Sequence, residues 1–214
     1  MSVALLVIAK EPLPGRSKTR LSPPCTPGEA ARLAEAALAD TLGAVAAARV
    51  RGRRVLVLDG APGPWLPAGF EVVPQRGGGL DERLAHAFEE AGGPGVLVGM
   101  DTPQLTPRMV EDAALELRGP GVGAVLGPAA DGGYWAIGLR EPDPEVFLGV
   151  PMSTDRTCDA QRTRLRELGI PVAELGELRD VDTVQDAFAV ATLAPATRFA
   201  RVLAELSIPT GAVP

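Results

Sequence analysis

Histidine and lysine are the scarce residues of this chain. Its 214 residues include one histidine, His86, and of the 21 basic residues only Lys10 and Lys18 are lysines. A Ser-His-Asp triad or a multi-histidine metal centre would therefore have to pass through His86. That residue falls one turn into a predicted helix and reads as a surface or packing residue. Cysteine is nearly absent too. Cys25 and Cys158 match no metal-ligand spacing and read as free thiols. No stretch approaches the roughly 18 apolar residues of a membrane span. The apolar run Val3 to Ala9 is cut off by Lys10 and Glu11, with no basic segment ahead of it and no small-residue cleavage site behind. It reads as a buried first strand rather than a signal peptide, and a cytoplasmic location without membrane contact is expected. Positive charge is also in deficit: the net charge is −6 and the pI about 4.9. Coating a nucleic acid requires a basic face, so that class is excluded, whereas one phosphate ligand needs only a local basic pocket.

What is present is punctuation and alternation. Gly and Pro are spread between elements rather than gathered into a linker, and no repeat is visible. Strands are predicted at Val3–Ala9, Arg54–Asp59, Phe70–Pro74, Val96–Gly99, Val122–Leu126, Tyr134–Leu139 and Val172–Leu175. Helices are predicted from Thr26 to about Ala48, from Asp81 to Ala91, from Thr106, from Asp155 to Leu168, and twice near the C-terminus. Thr26-Pro27-Gly28-Glu29 is a capping box, and Thr183 to Asp186 repeats its logic with Asp in place of Glu. Val96 to Gly99 is apolar throughout and should be the central strand. This order predicts one α/β domain over 1–214, with a mostly parallel sheet covered by helices on both faces. Ligands of such sheets bind beyond the carboxyl ends of the strands.

Five segments there carry chemistry. Ala9-Lys10 leads into a loop in which Gly15 allows close backbone approach and Arg16, Lys18 and Arg20 supply charge, as a di- or triphosphate requires. The Gly-Lys-Ser/Thr order of a P-loop is missing. Asp101 closes the central strand, where Mg2+ takes one or two carboxylates plus phosphates; it also suits a cap of the turn before Pro103. Asp180 and Asp182 alternate, so both point one way and either offers a second ligand, or an N-cap. Asp131-Gly132-Gly133-Tyr134 lets a ligand meet backbone with a ring nearby, and equally makes a plain hairpin turn. Gln75, the triple glycine 77–79 and Arg83 form a helix entry that fits a nucleobase or sugar, or a lid.

Together these segments resemble a known group. Ala9-Lys10 with Pro14-Gly15 and Lys18-Thr19-Arg20-Leu21, Asp40-Thr41-Leu42, Gly99 and Asp101 with Pro103 and Leu105, Leu126-Gly127-Pro128 with Asp131-Gly132-Gly133-Tyr134, Ile137-Gly138-Leu139, Ser153-Thr154, and Asp180-Val181-Asp182-Thr183 carry the likeness. It is to the DUF2064 family, also called radical-SAM/selenodomain-associated transferase 1, within the GT-A superfamily of nucleotide-diphospho-sugar transferases. The likeness spans nearly the whole chain; Met152 departs from it, where the family usually has Trp. The Lys-Thr-Arg-Leu loop and the Asp-Val-Asp-Thr segment are also similar to those of guanylyltransferases that activate small phosphorylated acids.

The resemblance implies a Rossmann-like GT-A domain with a nucleotide on the N-terminal half, Mg2+ or Mn2+ on Asp101, and a small-molecule acceptor against the C-terminal half. The reading favoured at this point is nucleotidyl transfer to a small phosphorylated or acidic metabolite by a monomer or homodimer. Lys18, Asp101 and Asp131 act on the reacting groups, Asp101 and Asp182 hold the metal, and Ala9, Lys10, Gly15, Arg16, Lys18, Arg20, Gln75 and Arg83 bind the nucleotide. Glycosyl transfer from a nucleotide-sugar is the alternative, and non-catalytic nucleotide binding the second.

Overall fold

The computed structural model describes residues 2–206 and 208. Strands β1 (Ala4–Lys10), β2 (Arg54–Asp59), β3 (Glu71–Pro74), β4 (Gly95–Gly99), β5 (Ala124–Pro128), β6 (Tyr134–Leu139) and β7 (Val172–Glu174) form one sheet in the order β3-β2-β1-β4-β6-β5-β7. Helices are α1 (Pro27–Ala47), α2 (Leu80–Ala91), α3 (Pro107–Leu117), α4 (Thr157–Glu167), α5 (Val184–Leu193) and α6 (Arg198–Glu205). The apolar strand β4 lies in the middle, as its composition requires.

The two faces of β1 show how the sheet is covered. Leu5, Val7 and Ala9 pack with Leu38 and Leu42 of α1 and with Val110 and Leu117 of α3. Ala4 and Leu6 join Leu84 and Phe88 of α2 and Leu165 of α4 on the other face. That alternation is the two-residue period of a strand buried on both sides. α1 is apolar around more than one side, and its outer side packs with α5 and α6 through Leu33, Ala37, Val184 and Phe199. The Asp40 carboxylate accepts from the N–H groups of Arg198 and Phe199, which fixes the start of α6 against α1.

Only β6 runs antiparallel to its neighbours. The carboxyl ends of β1, β2, β3, β4 and β5 therefore share one edge of the sheet with the amino end of β6. Both predicted capping boxes form, with Thr26 and Glu29 reciprocal on α1 and Thr183 and Asp186 reciprocal on α5. One predicted helix start moves inward. α4 begins at Thr157 rather than Asp155, because Ser153 adopts a left-handed backbone (φ 59°) and the Thr154 N–H is taken by the Thr157 hydroxyl. Among the described residues no helix is long and apolar enough to cross a membrane.

Candidate functional site

The loops at the shared edge enclose a cleft of about 900 Å³. Its floor is the end of β1 and β4, one side is the loop after β1 with the start of α2, and the other is the β5–β6 hairpin with residues 152–157 and 180–186.

Val181 organises the acidic side. Its side chain is fully buried, so its neighbours Asp180 and Asp182 are turned outward into the cleft. The Val181 N–H donates to the Asp101 carbonyl at 3.0 Å, which ties this segment to the end of β4. Further back the chain runs beside the hairpin, with Leu178 bonded to Pro128 and Ala130, and this carries Asp180 to Asp131. Asp131, Asp180 and Asp182 thus offer carboxylate oxygens all within 4.8 Å of one another. Thr183 is the N-cap of α5, so Asp182 is not spent on capping. Hard oxygen donors in such a group suit Mg2+ or Mn2+.

Lys18 sits against this cluster. Its backbone is left-handed (φ 52°) and its side chain is 5 % exposed. The ammonium lies 2.6 Å from Asp101 and 3.7 Å from Asp182, and donates to the Val181 carbonyl. The sequence places Lys18 and Asp101 on facing walls; the fold brings them into direct contact. Asp101, expected to hold the metal with Asp182, is outside the carboxylate trio, and Asp131, expected to act on the reacting groups, is inside it. Arg20 pairs with Asp182 at 2.8 Å.

The nucleotide-side residues divide. Lys10, Arg16, Arg20 and Arg83 all line the cleft, and Asp59 at the end of β2 lies 3.9 Å from Arg16 and 3.5 Å from Arg83. Gly15 does turn with positive φ (75°), but it is exposed and not part of the cleft lining, because Arg16 and Ser17 turn inward after it. Gln75 lines the cleft with its amide nitrogen already committed. It donates to the carbonyls of Ala9 and Val57, while its oxygen accepts from Arg83, so it binds the ends of β1 and β2 together rather than pointing at a base. His86 lies on the surface of α2 beside Glu89, as expected. Cys25 and Cys158 are separate, buried thiols.

Asp180 carries the electrostatic cost of this arrangement. Burial first, then the charges of Asp131 and Asp182, push its carboxyl up from 3.8 to about 6. Below about pH 4 the group is protonated in folded and unfolded chains alike and costs nothing. Between about pH 4 and 6 the unfolded chain ionises first, so stability falls as pH rises; above that window the penalty stays constant. Asp180→Asn is therefore expected to raise the melting temperature at about pH 8 by roughly 2–4 °C, the equivalent of about 1 kcal/mol after allowing for partial exposure. At about pH 4 it should leave the melting temperature unchanged. Equal shifts at both pH values would mean that shape, not charge, is responsible.

This architecture is that of the GT-A-like nucleotidyl- and nucleotide-sugar transferase folds. A provisionally named nucleotide-diphospho-sugar transferase from Desulfovibrio desulfuricans G20 matches with a TM-score of 0.84 and 28 % identity, over 96 % of this chain and 95 % of that one. CMP:2-keto-3-deoxy-manno-octonic acid synthetase in complex with CTP matches with a TM-score of 0.60 and 14 % identity, over 91 % and 99 %. The 2-C-methyl-D-erythritol 4-phosphate cytidylyltransferase of Thermus thermophilus matches at 0.54 and 18 %, over 92 % and 100 %. These last two share the fold alone. The chain belongs to the DUF2064 family, described as an uncharacterized protein conserved in bacteria, whose profile matches residues 32–154. No curated protein matches it.

Three parts of the site escaped the sequence reading: the closure of Asp131 onto Asp180 and Asp182, the role of Asp59, and the presence of Thr102 and Asp186 in the lining. All depend on which strand ends become neighbours, and no local motif encodes that.

Proposed function

We propose that the chain is a metal-dependent nucleotidyltransferase that joins a nucleoside monophosphate unit to a small acceptor. One observation carries this reading. A single cleft has five cationic side chains from the N-terminal half of the chain, Lys10, Arg16, Lys18, Arg20 and Arg83, and a three-carboxylate group from the C-terminal half. Phosphates need the first and a divalent cation needs the second.

In this reading Lys10, Arg16 and Arg83 hold the triphosphate, and Asp182 with Asp131 and Asp180 holds the metal. The bound cation would offset charge on the phosphates. An acceptor oxygen bonds to the α-phosphorus, the bond to the bridging oxygen breaks, and pyrophosphate leaves with its electron pair. An acceptor hydroxyl loses its proton to solvent or to a carboxylate of the acidic wall. Little covalent work falls to the protein, so positioning and charge neutralisation supply the rate.

A second reading is favoured by the likeness to the Desulfovibrio protein, whose name places it among nucleotide-diphospho-sugar transferases. Here the acceptor oxygen bonds to the sugar carbon of a nucleotide-sugar, and a nucleoside diphosphate leaves. One assay separates the two. The protein is incubated with Mg2+, each nucleoside triphosphate or nucleotide-sugar, and a bacterial small-metabolite extract. Pyrophosphate is expected under the first reading. Nucleoside diphosphate from nucleotide-sugars alone would replace it by the second. Nucleotide binding with neither product would remove both.

A further inference from the structure

Gln75 and Arg83 stand 8 residues apart in the chain and meet in the lining of the cleft. Gln75 follows the last residue of β3, and its backbone N–H donates to the Leu58 carbonyl at 3.0 Å. Its amide nitrogen donates to the carbonyl of Ala9 in β1 at 2.7 Å and to that of Val57 in β2 at 3.2 Å. Two carbonyls on one side leave the amide a single orientation, because only its nitrogen can donate. The amide oxygen is left for Arg83, and it accepts from Nη1 at 3.1 Å.

Arg83 lies in the first turns of α2 with its side chain partly buried. Nη1 is also the atom that approaches Asp59, at 3.5 Å. Nε and Nη2 make no hydrogen bond among the described residues. Nε–H and the adjacent Nη2–H are parallel donors whose spacing matches two oxygens of one phosphate. The other cations of the lining are less suited to this. Lys18 and Arg20 are paired with Asp101 and Asp182. Arg16 is mostly exposed and reaches Asp59 only at 3.9 Å, and Lys10 carries an ammonium, which has no fork.

Gln75 holds Arg83 without cancelling it. A neutral amide oxygen fixes the guanidinium by a hydrogen bond and leaves its charge for a ligand, whereas a carboxylate in the same place would neutralise it. A long side chain ordered beforehand also costs less entropy when the ligand arrives.

We infer that Gln75 is the positioning residue of Arg83, and that Arg83 is a preset two-pronged receptor for one phosphate group of the nucleotide. Gln75, expected from the sequence to touch the nucleotide, acts through Arg83 instead. This rests on the reading of the basic part of the cleft as a phosphate site, and it holds for a triphosphate and for the diphosphate of a nucleotide-sugar.

The probe is inorganic tripolyphosphate, and its affinity for the full-length protein is measured by calorimetry at fixed ionic strength without Mg2+. Arg83→Met is expected to weaken binding at least about tenfold, and Arg83→Lys nearly as much, because lysine keeps the charge and lacks the fork. Gln75→Leu is expected to weaken it about fivefold when Arg83 is present, and less than about twofold in an Arg83→Met background. Equal losses in both backgrounds would mean that Gln75 acts on the strand ends and not through Arg83, which overturns the inference. Arg83→Met or Arg83→Lys binding as tightly as the unsubstituted protein overturns it as well, and that result needs no Gln75 variant to fold. Each of these outcomes leaves the transferase reading intact. Failure of the unsubstituted protein to bind tripolyphosphate ends the phosphate-site reading and the inference with it.

Discussion

Asp182→Asn is expected to lower turnover at least about 100-fold, a loss of about 2.7 kcal/mol of transition-state stabilisation. Asp182 belongs to both halves of the acidic site: it is one of the three clustered carboxylates and it also meets Lys18 and Arg20. Its neutral amide would keep the shape and remove the charge a divalent cation needs. Stability should change little, because the lost ion pairs are offset by relief of repulsion from Asp180. The measurements are initial rates of pyrophosphate or nucleoside diphosphate release, with Mg2+ affinity by calorimetry. A normal rate together with normal Mg2+ affinity would take Asp182 out of the mechanism.

Lys18→Met is expected to be the most destabilising single change at the site. Removing one partner of a desolvated pair leaves the other charges without compensation. Here the losses are the ammonium between Asp101 and Asp182 and the donor to the Val181 carbonyl. Asp101 and Asp182 keep 41 % and 32 % of their side-chain exposure, so water recovers part of the cost. The expected loss is about 2–3 kcal/mol, a fall in melting temperature of roughly 5–10 °C. Added Mg2+ should restore more of that loss in the variant than it adds to the unsubstituted protein, because it supplies positive charge where the ammonium stood. An unchanged melting temperature would show that Lys18 does not hold the acidic cluster together.

Lys18 also shows where sequence reasoning stops. Its rarity and its place in a basic loop mark it as a residue of the site, and the structure does line the cleft with it. The sequence reading has it bind the nucleotide while facing Asp101 across a shared pocket. Long-range packing of residues 180–182 against the end of β4 brings its ammonium into contact with Asp101 and close to Asp182. Gln75 behaves in the same way. A polar residue at a strand end reads as a ligand contact, but here the amide nitrogen is taken by the carbonyls of Ala9 and Val57.

What the sequence determined by itself was local. Apolar runs produce strands buried on both faces, Thr26 and Thr183 start their helices through capping boxes, and Asp101 stands where a central strand ends. Those features need only neighbouring residues and the periods of helix and strand. The tertiary structure alone decided which charges meet. Strand order and the reversed β6 bring Asp131 to Asp180 and Asp182, Lys18 to Asp101, and Arg20 to Asp182. Charge acts through distance in space, and residues far apart in the chain acquire that distance only when the sheet closes.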